Sequence, residues 1–204
     1  MTSSTPQQPE VSVSDTTSVR YFALIDSLDL LARAMGGRIR IPREVFDPGE
    51  DLNLPEDLLS ELGKTEIYWA RKHSPTAGSF WSRFRALRLR TDIEVVDLAP
   101  GELAIVAEVT TRRYLQRFGR AGRLGKGEAA VIALAEARGW SAIMDDGAGR
   151  DVLKHRAPGS DCFTTAELLR RAAFRGYVSS DRAEQLYQAM RLLGYRGPER
   201  LWQP

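Results

Sequence analysis

The run Leu124-Gly125-Lys126-Gly127-Glu128-Ala129-Ala130-Val131-Ile132-Ala133-Leu134-Ala135, followed by Ser141-Ala142-Ile143-Met144-Asp145-Asp146, constrains the fold of this chain more than any other stretch. It predicts a glycine-led helix start with an acid in its first turn, a buried helix, a turn and a short apolar strand. A helix this apolar needs cover on most of its surface. A short strand with no polar alternation belongs to a parallel sheet buried on both faces. That strand ends in two carboxylates, and in open α/β sheets ligand chemistry sits beyond the carboxyl ends of the strands. A further acid at a nearby helix start completes the kind of oxygen-rich site that a hard divalent cation takes.

The rest of the chain repeats the alternation. Val11-Ser12-Val13-Ser14 reads as a strand ending at Asp15, and helical spacing runs from Val19 to Met35 before Gly36-Gly37. Arg38 to Ile41 reads as a second strand closed by Pro42, and residues 43–70 as an acidic helix or two around Pro48 and Pro55. A loop at 73–79, a strand Asp92 to Asp97 and a helix from Pro100 to about Phe118 follow. After the central run come a helix over about 148–156, a short strand near Cys162-Phe163, and terminal helices 166–175 and 180–193. Strands alternating with helices predict a three-layer α/β/α arrangement around a central parallel sheet of four or five strands.

At 204 residues the chain suits one domain: an expected disordered tail over 1–10, then a single unit over 11–204 with a helical, basic insertion at about 50–90. The net charge of +2 is too small to imply a nucleic-acid partner, but charge is segregated. Acids crowd residues 44–66, whereas 71–90 is basic and aromatic, and Arg112, Arg113, Arg117, Arg120, Arg123 and Lys126 form a second basic group. Such segregation suits a polyanion reaching a carboxylate site with positive walls. Trp81, Phe84 and Leu87 have helical spacing, so packing on the body outweighs base stacking for those side chains. The single cysteine, Cys162, excludes an internal disulfide and a thiolate zinc cluster. With no secretory leader and no membrane-length apolar run, a cytosolic protein without a membrane association is expected. His73 and His155 have no zinc-ligand spacing, and no phosphate-binding loop or nucleophile elbow is present.

Four stretches carry a resemblance. Asp15-Thr16-Thr17-Ser18, then Leu30-Leu31, then Ile39-Arg40-Ile41-Pro42 with Val45, is similar to the opening of the PIN-domain nucleases. Leu124-Gly125-Lys126-Gly127-Glu128-Ala129 resembles the "Leu-Gly-x-Gly-Glu-Ala" of one branch, and Asp145-Asp146 with Ala148 and Arg150 resembles its "Asp-Asp-x-x-Ala-Arg" with the alanine one residue out of register. The ending, Thr164-Thr165-Ala166-Glu167 through Gly176-Tyr177-Val178, also fits. That branch includes VapC-like toxins of toxin–antitoxin pairs.

The resemblance implies an endoribonuclease dependent on Mg²⁺ or Mn²⁺, with RNA as partner, an antitoxin protein where it acts as a toxin, and homodimer contacts through the terminal helices. Asp15, Glu128 and Asp146 would hold the metal, with Asp145 as a ligand or a supporting acid, and the ion would polarise the scissile phosphate and activate water. Asp26 is a rival to Asp15 that fits the spacing to Leu30-Leu31 less well. Many relatives carry a second acid three residues after the valine, where this chain has Pro48; Asp47, Glu50 and Asp51 are the nearby replacements, or the pocket has three strong ligands. Arg150 is expected to contact phosphate or pair with the acids. Thr164 lines the pocket or caps a helix with Glu167. Two other readings stay open: a PIN-fold module that binds RNA or protein without turnover, and a DNA-directed nuclease.

Overall fold

Five short strands make one all-parallel sheet in a computed structural model that describes residues 11–53, 55–72, 83 and 86–203. They are β1 (Ser12–Ser14), β2 (Ile39–Pro42), β3 (Ile93–Val96), β4 (Ser141–Ile143) and β5 (Cys162–Phe163), in the spatial order β3-β2-β1-β4-β5. The register sets Val13 opposite both Arg40 and Ala142, and Ser14 opposite Ile143. The chain therefore starts in the middle of the sheet, builds outward through β2 and β3, and returns to the other side for β4 and β5. Strand order reverses between β1 and β4, which is where a crevice opens beyond the strand ends.

Side-chain alternation along each strand feeds two separate cores. Ile39, Ile41 and Ile143 point into one, with α1 (Thr16–Leu24), α2 (Leu28–Ala34), α8 (Thr165–Phe174) and α9 (Ser180–Leu192). Val13, Val96, Ala142 and Met144 point into the other, with α4 (Pro100–Val109), α5 (Arg112–Gln116), α6 (Lys126–Arg138) and α7 (Gly147–Arg156). The layers are thus α/β/α, as the alternation of patterns predicts. In α6 every residue from Ala129 to Ala135 is fully buried, which explains an apolar run with no polar face. A further helix, α3 (Glu61–Lys72), follows a 3₁₀ turn at Glu56–Leu58.

Two expected helices are each broken in two. The apolar spacing from Val19 to Met35 is interrupted between α1 and α2, where Asp26 adopts a left-handed backbone (φ 55°) that an aspartate tolerates better than most residues. The helix from Pro100 stops at Val109 because two threonine hydroxyls compete for the last carbonyls: Thr110 donates to Val106 O at 2.8 Å and Thr111 to Glu108 O at 2.9 Å. The tail 1–10, the loop 73–79, His73, Trp81 and Phe84 lie outside the described residues, while Leu87 is buried in the α1/α2 core. No described helix is long and apolar enough to cross a membrane.

Candidate functional site

Carboxylates gather at the carboxyl end of the sheet, around the gap between β1 and β4. Asp15 follows β1 directly, and its N–H donates to Ile143 O at 3.0 Å, which locks it to the last residue of β4. Its side chain caps α1, accepting the Thr17 N–H at 3.0 Å and the Ser18 N–H at 3.3 Å. The capping role and a site role therefore coincide in one residue. Asp15 is 1% exposed. Burial pushes its carboxyl well above the ordinary aspartate range, the Asp145 and Glu128 charges add to the shift, and the Ser18 N–H opposes it.

Glu128 occupies the first turn of α6, where its Oε2 accepts the Gly125 N–H at 3.0 Å. Burial raises its carboxyl too, with Asp146 and Glu61 as the neighbouring charges that push in the same direction. Asp146 caps α7, accepting the Gly149 N–H at 2.8 Å. Asp145 is held differently. Its Oδ1 takes the Thr165 N–H at 3.0 Å and the Tyr195 hydroxyl at 2.6 Å, and its Oδ2 takes the Thr165 hydroxyl. Thr165 in turn shares a 2.7 Å hydrogen bond with the Ser18 hydroxyl. Burial, with Asp145 alongside, pushes the Tyr195 phenol up, so it keeps its proton and stays a donor.

The fifth acid is Glu61, which the sequence reading did not single out for a role. The chain returns beside itself here: Glu61 N–H donates to Glu44 O at 3.0 Å and Leu62 N–H to Val45 O at 2.9 Å. Glu61 therefore stands directly beside Val45, in the neighbourhood where the sequence pattern predicts a second acid near Pro48. Its carboxylate accepts the Gly127 N–H at 2.9 Å and the Thr16 hydroxyl. A Cβ at Gly127 would lie 2.4 Å from Glu61 Oε2, so the glycine is what admits this carboxylate to the helix start. The signal was a Ser60-Glu61-Leu62 helix start, hidden among surface acids.

The residues nearer Val45 point elsewhere. Asp47 pairs with Arg43 at 3.2 Å and accepts the Gly49 N–H, and Asp51 accepts the Asn53 N–H. Glu50 accepts both the Ser60 N–H and hydroxyl and pairs with Arg88. Asp26 is exposed at the α1–α2 bend. Thr164 caps α8 in a reciprocal box with Glu167, and its neighbour Thr165 is the residue that reaches Asp145. Arg150 is exposed in a shallow cleft with Lys154, Asp161 and Cys162. Cys162 is half-buried, and burial raises its thiol to about 11, which leaves it a poor nucleophile at neutral pH.

Asp15, Glu61, Glu128, Asp145 and Asp146 are thus neighbours, each with at least one oxygen committed to a backbone N–H. Among the described residues, no three acid, histidine or cysteine side chains converge closely enough to ligate one ion as they stand. The donor chemistry nonetheless fits a hard divalent cation: all ligands are carboxylate oxygens, and two are raised by burial and mutual repulsion that a cation would relieve.

A family model described as a PIN domain matches residues 85–204. The chain belongs to the PIN-domain family. PIN domains are typically nucleases, and such enzymes generally use divalent metal ions. Neither a curated protein nor a solved structure matches it. In this PIN domain the matched stretch supplies Glu128, Asp145 and Asp146, whereas Asp15 and Glu61 come from the residues before it.

Proposed function

We propose that this PIN domain is a divalent-metal-dependent endoribonuclease. The observation that carries the reading is the meeting of five carboxylates at the β1/β4 switch point, with the most buried of them, Asp15, raised by burial and by its acidic neighbours. Asp15, Glu61, Glu128 and Asp146 would hold the ion. When bound, a divalent cation supplies the charge that polarises a phosphodiester and lowers the pKa of an attacking water.

The chain's own groups do the remainder. Three helix starts (α1, α6 and α7) direct N–H groups at Asp15, Glu128 and Asp146 and fix one oxygen of each. Asp145, held by Thr165 and Tyr195, serves as a fixed acceptor behind the other acids rather than as a free ligand. The substrate side is basic. Arg112, Arg113, Arg117, Arg123 and Lys126 are exposed along α5 and the joint that leads to Glu128. Arg120, which pairs with Asp151, comes within 3.9 Å of where a Gly147 Cβ would stand, beside Asp146. A phosphate backbone lying on these cations would be led to the acids.

The deciding experiment is cleavage of RNA oligonucleotides and matched DNA oligonucleotides with Mg²⁺, with Mn²⁺ and with EDTA, beside an Asp146→Asn control. RNA cleavage that needs the metal and is lost in the control supports the reading. Metal-independent cleavage, preference for DNA, or tight RNA retention without turnover would each displace it.

A further inference from the structure

The segment after α9 is strapped down along its length. Tyr187 hydroxyl donates to Pro198 O at 2.7 Å, Gln188 to Glu199 O at 2.8 Å and Arg191 to the same carbonyl at 2.6 Å. Leu201 is fully buried, and its N–H donates to Glu184 at 3.0 Å. The strap carries Tyr195 into the α1/α9 core, where its ring meets Tyr21 and Tyr187 edge-on at 5.2 and 5.8 Å between centroids. Among these packed rings the Tyr195 hydroxyl donates to Asp145 at 2.6 Å. The same carboxylate is gripped by Thr165 on α8, which Ser18 on α1 holds in turn. Asp145 is therefore the knot between the strap, α8 and α1, and it directly precedes Asp146.

Resting on the reading of the acids as a metal site, we propose that Tyr195 is a positioning residue of that site: its hydroxyl fixes Asp145 and, through it, the placement of Asp15 and Asp146. The hydroxyl touches neither metal nor substrate. It acts as groups behind metal ligands do, by removing the freedom of the ligands in front of it.

The test compares Tyr195→Phe with Gln188→Ala, which loosens the strap without touching Asp145. Mn²⁺ titration followed by electron paramagnetic resonance should show Tyr195→Phe binding about tenfold more weakly. Gln188→Ala should bind as the unaltered protein does. In amide NMR spectra without metal, Tyr195→Phe should move the Asp15, Asp145, Asp146 and Thr165 resonances, and Gln188→Ala should move only those of α9 and the strap. Amide changes in Tyr195→Phe confined to the strap, or unchanged Mn²⁺ affinity, would overturn the proposal. If the unaltered protein binds no Mn²⁺, the metal reading fails while the amide comparison still decides whether Tyr195 places the acids.

Discussion

The Glu61 carboxylate accepts the Gly127 N–H at 2.9 Å, which joins the start of α3 to the start of α6. A Cβ at Gly127 would come 2.4 Å from Glu61 Oε2 and 2.7 Å from Val45 Cγ2. Gly127→Ala should therefore cost about 1–3 kcal/mol by overpacking, read in a urea melt, and should displace Glu61. Weaker Mn²⁺ binding in this variant, matched by Glu61→Gln, is the expected outcome. Unchanged stability and binding would remove Glu61 from the site.

Acidity gives a second prediction. The Asp15 and Glu128 carboxyls are raised in the folded chain above their ordinary values of 3.8 and 4.5, mainly by burial. The folded state thus retains protons that the unfolded chain has released, so stability is full below the ordinary values and falls as pH rises through the raised ones. In EDTA the melting temperature should decline as pH rises above the ordinary carboxylate range, and less steeply in Asp15→Asn. Mn²⁺ at neutral pH should recover the difference, because a ligand that binds only the folded state stabilises it.

Arg88 anchors the segment that follows Phe46. It donates to Asp47 O at 2.8 Å and Pro48 O at 3.0 Å, and pairs with Glu50 at 3.2 Å and Glu66 at 3.1 Å, two side chains only 5% and 6% exposed. Arg88→Ala strands both carboxylates away from water and should cost about 3–5 kcal/mol in a thermal or urea melt. A loss below about 1 kcal/mol would show that the loop repacks.

The basic face makes a prediction about salt. Replacing Arg113, Arg117 and Arg123 together by alanine should weaken RNA binding about tenfold or more near 0.1 M salt. It should also flatten the dependence of log affinity on log salt by about two units. Fluorescence anisotropy in Ca²⁺ or EDTA reads both without turnover. An unaltered slope would place the substrate on another face.

These features differed in how openly the sequence displayed them. Asp15, Glu128, Asp145 and Asp146 stand next to strand ends or glycine-marked helix starts, so local pattern alone brought them forward. The parallel sheet followed from the same pattern, since strands without polar alternation demand cover on both faces. Glu61 was hidden because its place depends on backbone pairing at Glu44 and Val45, across a loop whose acids read as ordinary surface. Tyr195 was hidden because its partner lies 50 positions earlier in the chain. The breaks at Asp26 and at Thr110-Thr111 were missed because apolar periodicity continues across them, while one left-handed residue and two hydroxyls decide the backbone.

The distance between Tyr195 and Asp145 along the chain has a bearing on the order of assembly. Every acid of the pocket is synthesised before the phenol that braces one of them. On the ribosome the contact between these two side chains can form only once the polypeptide has grown past position 195.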